Sequence, residues 1–521
     1  MDDQFNDTGR IGRRALIGAG LAGLTGCSSV KFQLPIAIRS PIVFSTASSG
    51  APPLAETSEV ETFLDDVQLR TFAYFWWTTE PKRGLAPDRF PSGGFASIAA
   101  MGFALTAFVI GIERGFVPRA QAAERTLTML RFLAGAEQGA KPDGVAGYQG
   151  FFYHFLGMKD GVRFGGCEIS TVDTALLMMG VLLAQTYYDQ PQEKEIRDLA
   201  DKLYRQVDWR WAMTRAPVIA LGWTPEGEFI PYDWVAYNEG MLVYILALGA
   251  PIYGLPKESW DAWSQRLATF WTDSGELSML RFPPMFGHQY SHVWIDFRKI
   301  QDEFMAAKGS DYFENSRRAT IAQRNYALAN PLGWRGYAAD QFGLTACDGP
   351  ADVTLDMGGE KRVFHSYVAR GVGAIDDGTI APTAAGGSIP FAPEICIPAM
   401  MGMRQRYGDT LYGTYGFFDA FNLSFQDEKT KLDRGKVVPG KGWFDTDWVG
   451  IDQGPILAMI ENHRTGLIWN IMRRNPYIQA GLRKAGFRGG WLDALPPAPP
   501  PSPPPQPPAP AQPQTSSKDK T

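Results

Sequence analysis

Three runs in this chain are apolar around the whole circumference of a helix: ALTAFVIGI (104–112), ALLMMGVLLA (175–184) and MLVYILALGA (241–250). A helix without a polar face has to be buried on all sides. Other helical segments are amphipathic and charged, among them SEVETFLDDVQLRTFAYFWWTTE (58–80), Gln121 to Gly135 and EKEIRDLADKLYRQVDWRWAM (193–213). Apolar residues recur in them at helical spacing, as Val60, Phe63, Leu64, Val67, Leu69, Phe72 and Phe75 do in the first. The order along the chain is helix, polar loop, helix, repeated. Buried inner helices alternating with amphipathic outer ones predict an all-α fold of helical hairpins closed into a ring. The polar, aromatic loops gather at one end, which is the natural active-site face. Further helical runs are expected at 313–329, 397–405, 411–421 and 450–462. No alternating run is long enough for a major sheet, and VTLDMGGEKRVFHSY (353–367) can supply one small hairpin.

The two ends read differently. Arg10, Arg13 and Arg14 precede a short Gly- and Ala-rich apolar stretch, Leu16 to Leu24, which is too short to span a bilayer. The paired arginines resemble a twin-arginine export signal, and Leu24-Thr25-Gly26-Cys27 resembles a lipoprotein box with Cys27 as the lipidated residue. Residues 1–27 are therefore expected to be an export signal and 28–57 a Ser-, Pro- and Ala-rich tether. Residues 58–493 form the folded domain, and 494–521 a Pro-rich tail without core-forming power. The expected location is exported, anchored to a membrane on its periplasmic face.

A net charge of −5 gives no strong basic face, so nucleic acid is not an expected partner. The four Cys show no CxxC pair or metal spacing. The pair His288 and His292 lacks the glutamate of HExxH and follows Pro283 and Pro284. There is neither a P-loop nor a Gly-rich strand-to-helix turn, so no metal and no cofactor is expected. Fifteen Trp and nineteen Tyr favour a ring-shaped ligand such as a carbohydrate, although most aromatics belong to cores.

The most telling string is GWTPEGEFIPYDWVAYNEGMLVYILALG (222–249). Glu239 stands where a loop carrying Trp223, Tyr232, Trp234 and Tyr237 enters an apolar helix. Partial burial beside aromatics would raise the pKa of such a carboxyl and let it donate a proton. The alternative is an ordinary helix start, with Asn238 as cap. Other segments combine carboxylates with Gly, Pro and rings: CEISTVDTALL (Asp173), PPMFGHQYSHVWIDFR (His288, His292, Trp294, Asp296, Arg298), APTAAGGSIPFAPE (Glu394), TYGFFDAFN (Asp419, Asn422) and GWFDTDWVGIDQGP (Trp443, Asp445, Asp447, Asp452).

In chain order, over roughly residues 60–490, the runs YNEGMLVYILALG, PPMFGHQYSHVWIDFR, GSIPFAPE, YGFFDAFN and IDQGPILAMIENHRTGLIW resemble the glycoamylase-like proteins, which include the bacterial endo-β-1,2-glucanases of glycoside hydrolase family 144. The resemblance implies an (α/α)6 toroid with minor β-hairpins in its loops, and metal-free hydrolysis of β-1,2-glucan with inversion. It also implies a general acid at Glu239 and a base late in the chain, matched best by Asp452, with Asp445 and Asp447 within one loop's reach. An exo-acting, sophorose-releasing enzyme, a transglycosylase, or a lipid-tethered glucan-binding protein without the chemistry are the alternatives. Where the family often carries Asp-x-x-Glu, this chain has Ser170-Thr-Val-Asp173, which leaves endo or exo action open. Expected to line the glucan site are Asp173, Trp234, His288, His292, Trp294, Asp296, Arg298, Glu394, Asp419, Asn422, Trp443 and Asp447. The competing assignments are a helix cap for Asp452, a first-turn charge or buried ion pair for Asp173, a loop-holding salt bridge for Asp296 and Arg298, and core positions for the tryptophans.

Overall fold

A computed structural model describes residues 58–495. The expected export signal, Cys27, the tether and nearly all of the Pro-rich tail lie outside the described residues.

The helices that build the domain are α1 (Ser58–Thr78), α2 (Ile98–Glu113), α3 (Arg119–Gly135), α4 (Thr171–Tyr187), α5 (Lys194–Gln206), α6 (Gly240–Gly249), α7 (Phe286–Trp294), α8 (Tyr312–Ala329), α9 (Pro382–Gly386), α10 (Pro393–Tyr407), α11 (Gly450–Arg464) and α12 (Pro476–Lys484). The three all-apolar runs are α2, α4 and α6, and every residue of α6 is buried. Each buried Leu, Ile or Val side chain contributes roughly 1.5–3 kcal/mol. Helices α2 and α4 pack together, α4 on α6, α6 on α7, and α11 on α7, α9 and α2. The link from α7 to α9 is Gln289, whose amide donates to the Ala384 carbonyl at 2.9 Å and to Ser388 Oγ at 2.8 Å. The amphipathic helices lie against these: α1 on α2 and α11, α3 on α2, α5 on α4, α8 on α7, α10 on α9 and α12 on α6.

Two crossings are so close that only glycine fits. A Cβ on Gly102 would stand 2.4 Å from the Leu176 carbonyl oxygen, and one on Gly180 would stand 2.2 Å from that of Gly102. Helices α6 and α12 meet the same way: a Cβ on Gly249 would be 2.2 Å from the Tyr477 oxygen, and one on Gly481 2.1 Å from that of Ile245. The expectation that the apolar runs form the interior is thus met at backbone-to-backbone distance.

Strands are short and antiparallel, in sheets of two or three. The hairpin expected near 353–367 is Val353–Met357 with Glu360–Phe364. One expected helix is absent. Residues 411–421 form the pairs Tyr412–Gly413 with Gly416–Phe417, and Phe421 joins a three-stranded sheet. Gly416 turns the chain at φ +90°, a left-handed conformation that no helix continues through. Among the described residues, no helix is long and apolar enough to cross a membrane.

Candidate active site

The N-terminal ends of the inner helices are tied together at one end of the domain. Gly450, which opens α11, donates to the Asp88 carbonyl at 2.7 Å, and Asp88 donates to that of Phe95. Ser97 caps α2 through its side chain, and Ile98 donates to the His154 carbonyl. His154 in turn donates to the carbonyl of Glu168, just before Ser170, the N-cap of α4. The hydroxyl of Thr171 accepts the Trp234 indole N–H at 2.9 Å, before α6. Tyr237 meets His288 of α7 at 3.1 Å, and Phe286 donates to Thr345 Oγ1, three residues before Asp348. Asp348 returns the circuit through Arg89 to Asp88. Each of these helices therefore turns its N-terminal, positive dipole end to a common face.

Glu239 is the N-cap of α6 and is 5% exposed. The rival cap, Asn238, accepts the Gly240 N–H at 3.0 Å and the Trp263 indole N–H at 3.5 Å. Trp234 covers this helix mouth: a Cβ on Gly240 would stand 2.8 Å from its ring. The Trp234 carbonyl also accepts the Tyr244 hydroxyl at 2.8 Å, which locks the indole over the start of α6.

Opposite in sequence, Asp452 lies in the first turn of α11 and is 3% exposed. It is not the cap, since Val449 occupies that position. Its carbonyl accepts Thr383 Oγ1 of α9 at 3.0 Å. Around it gathers a cluster of buried acids. Asp419 Oδ2 accepts the Asp348 N–H at 2.7 Å, while its own N–H donates to the Asp447 carbonyl. Asp445 Oδ1 accepts the N–H groups of Thr446 and Asp447. Asp447 is held by Ser92, through both its N–H and hydroxyl, with Arg434 at 3.5 Å and Arg89 at 3.7 Å. Burial, and then the charge of Asp452, push the Asp419 carboxyl well above the usual range. Burial and Asp348 do the same to Asp445. Among the described residues, oxygens of Asp348, Asp419 and Asp445 converge within 4.8 Å. A hard cation could span that gap, but the Arg89 guanidinium bonded to Asp348 already places a fixed positive charge there.

A second polar cluster flanks α4. His154 Nδ1 meets Glu168 Oε1 at 2.9 Å, and its Nε2 lies 3.6 Å from Asp173 Oδ2. Ser170 Oγ donates to Asp173 at 2.5 Å. Burial raises the Glu168 pKa, against the opposing pull of His154. Sequence reasoning singled out Asp173 but missed His154, Arg89 and Asp348, because His154 and Asp348 sit in loops and Arg89 in a two-residue strand, all too short for a periodic signal. A half-exposed aromatic rim was missed too. Phe95 stacks on Phe164 at 4.9 Å, and Phe90 packs on Tyr415 at 5.7 Å.

Other expected site residues lie elsewhere. His288 and His292 are interior. His288 lies 3.1 Å from the Phe282 carbonyl and His292 lies 3.1 Å from the Ser316 hydroxyl. Burial lowers their pKa values to about 4 and about 3, so both are neutral core rings rather than sugar ligands. Trp294 is fully buried, stacked on Phe103 at 5.1 Å and donating to Thr106. Trp443 is also fully buried, and its indole N–H fixes the Arg434 carbonyl at 2.7 Å; it supports the acidic cluster from behind. Asp296 and Arg298 form a two-pronged ion pair just past the C-terminal end of α7, away from the common face, with Arg473 joining it. Burial opposes ionisation of Asp296, but Arg298 wins and holds the carboxyl below its ordinary range. Glu394 pairs with Arg317 at 2.6 Å in the first turn of the outer helix α10. Asn422 is consumed by the Asp377 carbonyl, Thr379 and two backbone N–H groups. The structure thus brings Asp419, Asp445, Asp447 and Asp452 together, and places Glu239, Trp234 and Asp173 on the same face.

Residues 231–476 match the Glycoamylase family model ("Putative glucoamylase"). The chain is 30% identical over 470 residues to an exo β-1,2-glucooligosaccharide sophorohydrolase of Parabacteroides distasonis, a match covering 84% of this chain and 59% of that protein. The chain thus spans about three fifths of the length of that curated relative. A crystal structure from Bacteroides uniformis, named a "putative glucoamylase", superposes with a TM-score of 0.71 at 32% identity over 84% of this chain and 100% of the other. An endo-β-1,2-glucanase from Chitinophaga pinensis, in complex with sophorotriose and glucose, gives a TM-score of 0.67 at 26% identity over 83% and 99% of the two chains.

Proposed function

The chain belongs to the glycoamylase-like family, and from that premise we propose that it is a glycoside hydrolase acting on β-1,2-glucans. The helices are read as the (α/α)6 toroid, with α2, α4, α6, α7, α9 and α11 as its inner ring; the order of their contacts supports this. The observation that carries the function is the placement of Glu239 and Asp452. Each is a nearly buried carboxylate at the N-terminal end of an inner helix opening on the common face. An inverting hydrolase needs one carboxyl to protonate the leaving oxygen and another to activate water from the opposite side. Glu239 takes the first role and Asp452 the second. Trp234, Asp173 with His154, and Asp447 with Arg89 and Arg434 orient sugar hydroxyls around them. The two relatives active on β-1,2-glucans support the substrate class.

The test is a product chromatogram from linear and cyclic β-1,2-glucan. Sophorose as the first and only product means exo action, and a ladder of oligosaccharides means endo action. Products longer than the substrate mean transfer. Binding without turnover would reduce the chain to a glucan-binding protein and overturn the proposal.

Export and anchoring are proposed on the sequence Arg13-Arg14 and Leu24-Thr-Gly-Cys27 alone. Mass spectrometry of native protein should find a mature chain beginning at a lipidated Cys27. An unmodified Met1 sinks that reading.

A further inference from the structure

Two exposed rings border the common face: Phe90, 39% exposed, and Phe164, 37% exposed. The segment that leads into α2 ties them together. Asp88 donates to the Phe95 carbonyl at 3.0 Å and Ser97 to that of Ala86 at 3.2 Å, so residues 86–97 fold back as a hairpin with an exposed tip at 90–94. On one side of the tip, Arg89 pairs with Asp348 at 2.5 Å, and Phe90 is in register with Trp448 in a two-stranded sheet, four residues before Asp452. On the other, a run of rings leads to α4. Phe164 stacks on Phe95 at 4.9 Å, Phe95 meets Phe155 edge-on at 4.7 Å, and Phe155 stacks at 3.9 Å on His154, which contacts Glu168 and Asp173.

Neither ring is loosely held. Ser92, in the tip, gives its N–H and hydroxyl to Asp447 and accepts Arg434 at 2.8 Å. The turn that carries Phe164 is closed by Arg163, which donates to the Cys167 carbonyl at 2.6 Å and the Gly166 carbonyl at 2.8 Å. A phenyl ring has no polar atom, so a face left in water forgoes the free energy of burial. Rigid apolar faces beside buried carboxylates and guanidiniums are the composition of a ligand site, in which the rings supply area and the polar groups orientation. They suit a pyranose in particular: its C–H face lies flat on a ring while its equatorial hydroxyls reach outward to polar partners. The inner helices pack in the order α11, α2, α4, α6 on this side of the domain and α6, α7, α9, α11 on the other. Both rings therefore lie on one flank of the pair Glu239 and Asp452.

We propose that Phe90 and Phe164 form a platform on which glucose units stack to one side of the bond that is cut, and that they set this chain's preference for longer glucans. This rests on the reading of the chain as a β-1,2-glucan hydrolase. Units held there are remote from the carboxyls, so the platform binds ground state and transition state alike. It lowers KM and leaves kcat nearly unchanged. Sugars too short to reach past α2 gain nothing from it.

The test measures kcat and KM for β-1,2-glucooligosaccharides of increasing length with native protein, Phe90→Ala and Phe164→Ala. Native kcat/KM should climb with length and then level. Each alanine should remove about two- to tenfold of that climb through KM, leaving the shortest cleaved substrate and the melting temperature unchanged. Phe164→Tyr keeps the flat face and should behave as native, whereas Phe164→Leu keeps apolar bulk alone and should behave as alanine. Losses equal at every length, no loss at any length, or a leucine as good as phenylalanine overturn the proposal. So does a change in oligomeric state on ultracentrifugation with KM unaltered, which makes the rings a contact between copies. Calorimetric affinities over the same lengths, taken with Glu239→Gln, give the same reading without turnover, so the platform is judged apart from the chemistry. Native protein that cleaves β-1,2-glucan while the ring variants match it rejects the platform alone. Native protein that neither binds nor cleaves it rejects the functional reading, and the platform with it.

Discussion

At the scale of single residues, the same side chain types fall into opposite roles according to where their helix begins. Glu239 and Asp452 stand at helix N-termini on the common face. Glu239→Gln keeps the shape and removes the donatable proton, and Asp452→Asn removes the base. Each should lower turnover at least ~100-fold while glucan still binds. A glycosyl fluoride needs little protonation on departure, so it should partly rescue Glu239→Gln and leave Asp452→Asn inactive. Full activity of either variant on polymer would refute its assigned role. Trp294 provides the opposite case. Its ring is stacked on Phe103 in the core, so Trp294→Ala should cost about 3–5 kcal/mol of stability with KM unchanged in whatever protein folds. A weakened substrate affinity with an unchanged melting temperature would return Trp294 to the cleft. The motif around Trp294 was visible in the sequence. Its direction was not, because a helix of nine residues turns a tryptophan inward or outward according to what its neighbours leave empty.

At the scale of elements, the glycines decide how near the inner helices come. Gly180→Ala places a methyl where the Gly102 carbonyl oxygen stands 2.2 Å away, against backbone that cannot swing aside. The α2–α4 crossing must open, at about 1–3 kcal/mol, and a thermal melt should show it. Gly135→Ala is the control, since no heavy atom lies within 4 Å of its added Cβ and its backbone is not in the left-handed region. A Gly180→Ala variant as stable as the parent would mean that the two helices pack less closely than described. These elements were legible as buried helices because nothing polar interrupts their circumference. Residues 411–421 were misread as a helix because Tyr, Phe and Leu recur there without excluding either period, and Gly413 and Gly416 then set the turn.

At the scale of the whole molecule, burial of titratable groups sets the acid limit of stability. His288 and His292 are neutral in the folded chain, with pKa values near 4 and 3 against 6.5 unfolded. Above pH 6.5 neither state binds the proton, and the histidines leave stability unchanged. As pH falls below 6.5, the unfolded chain takes up protons that the folded one cannot. Stability then declines with a slope approaching about 1.4 kcal/mol per pH unit for each ring. Asp296 and Asp377 act in the same direction at lower pH: burial opposes their ionisation, yet arginines hold both below the ordinary range, and that stabilisation is lost as they protonate. The raised carboxyls of Glu168, Asp419 and Asp445 act in the opposite direction, since the folded chain takes up their protons first, so the histidines' share is read from the difference in melting temperature between the native chain and His292→Gln as pH falls below 6.5. His292→Gln should flatten the slope between pH 6.5 and 4; an unchanged slope would place the histidine in contact with solvent.

The sequence by itself determined the inner helices, their alternation with amphipathic ones, and the junction at Glu239, because each is written in a local pattern: hydrophobic circumference, period, or a carboxylate where a loop meets a helix. It also placed Asp419, Asp445, Asp447 and Asp452 among the candidates by residue type. Only the tertiary structure decided which polar residues face the open end. Asp296, Arg298 and Glu394 are as charged as the acids of the cluster, yet they sit past the C-terminal end of an inner helix and at the start of an outer one, where they close ion pairs. Arg89 and Asp348 lie 259 positions apart and carry no motif, yet they meet because α2, α7 and α11 open on the same face. A carboxylate's role follows from the solvent it loses and the charges it meets, and both are fixed by helices distant in the chain.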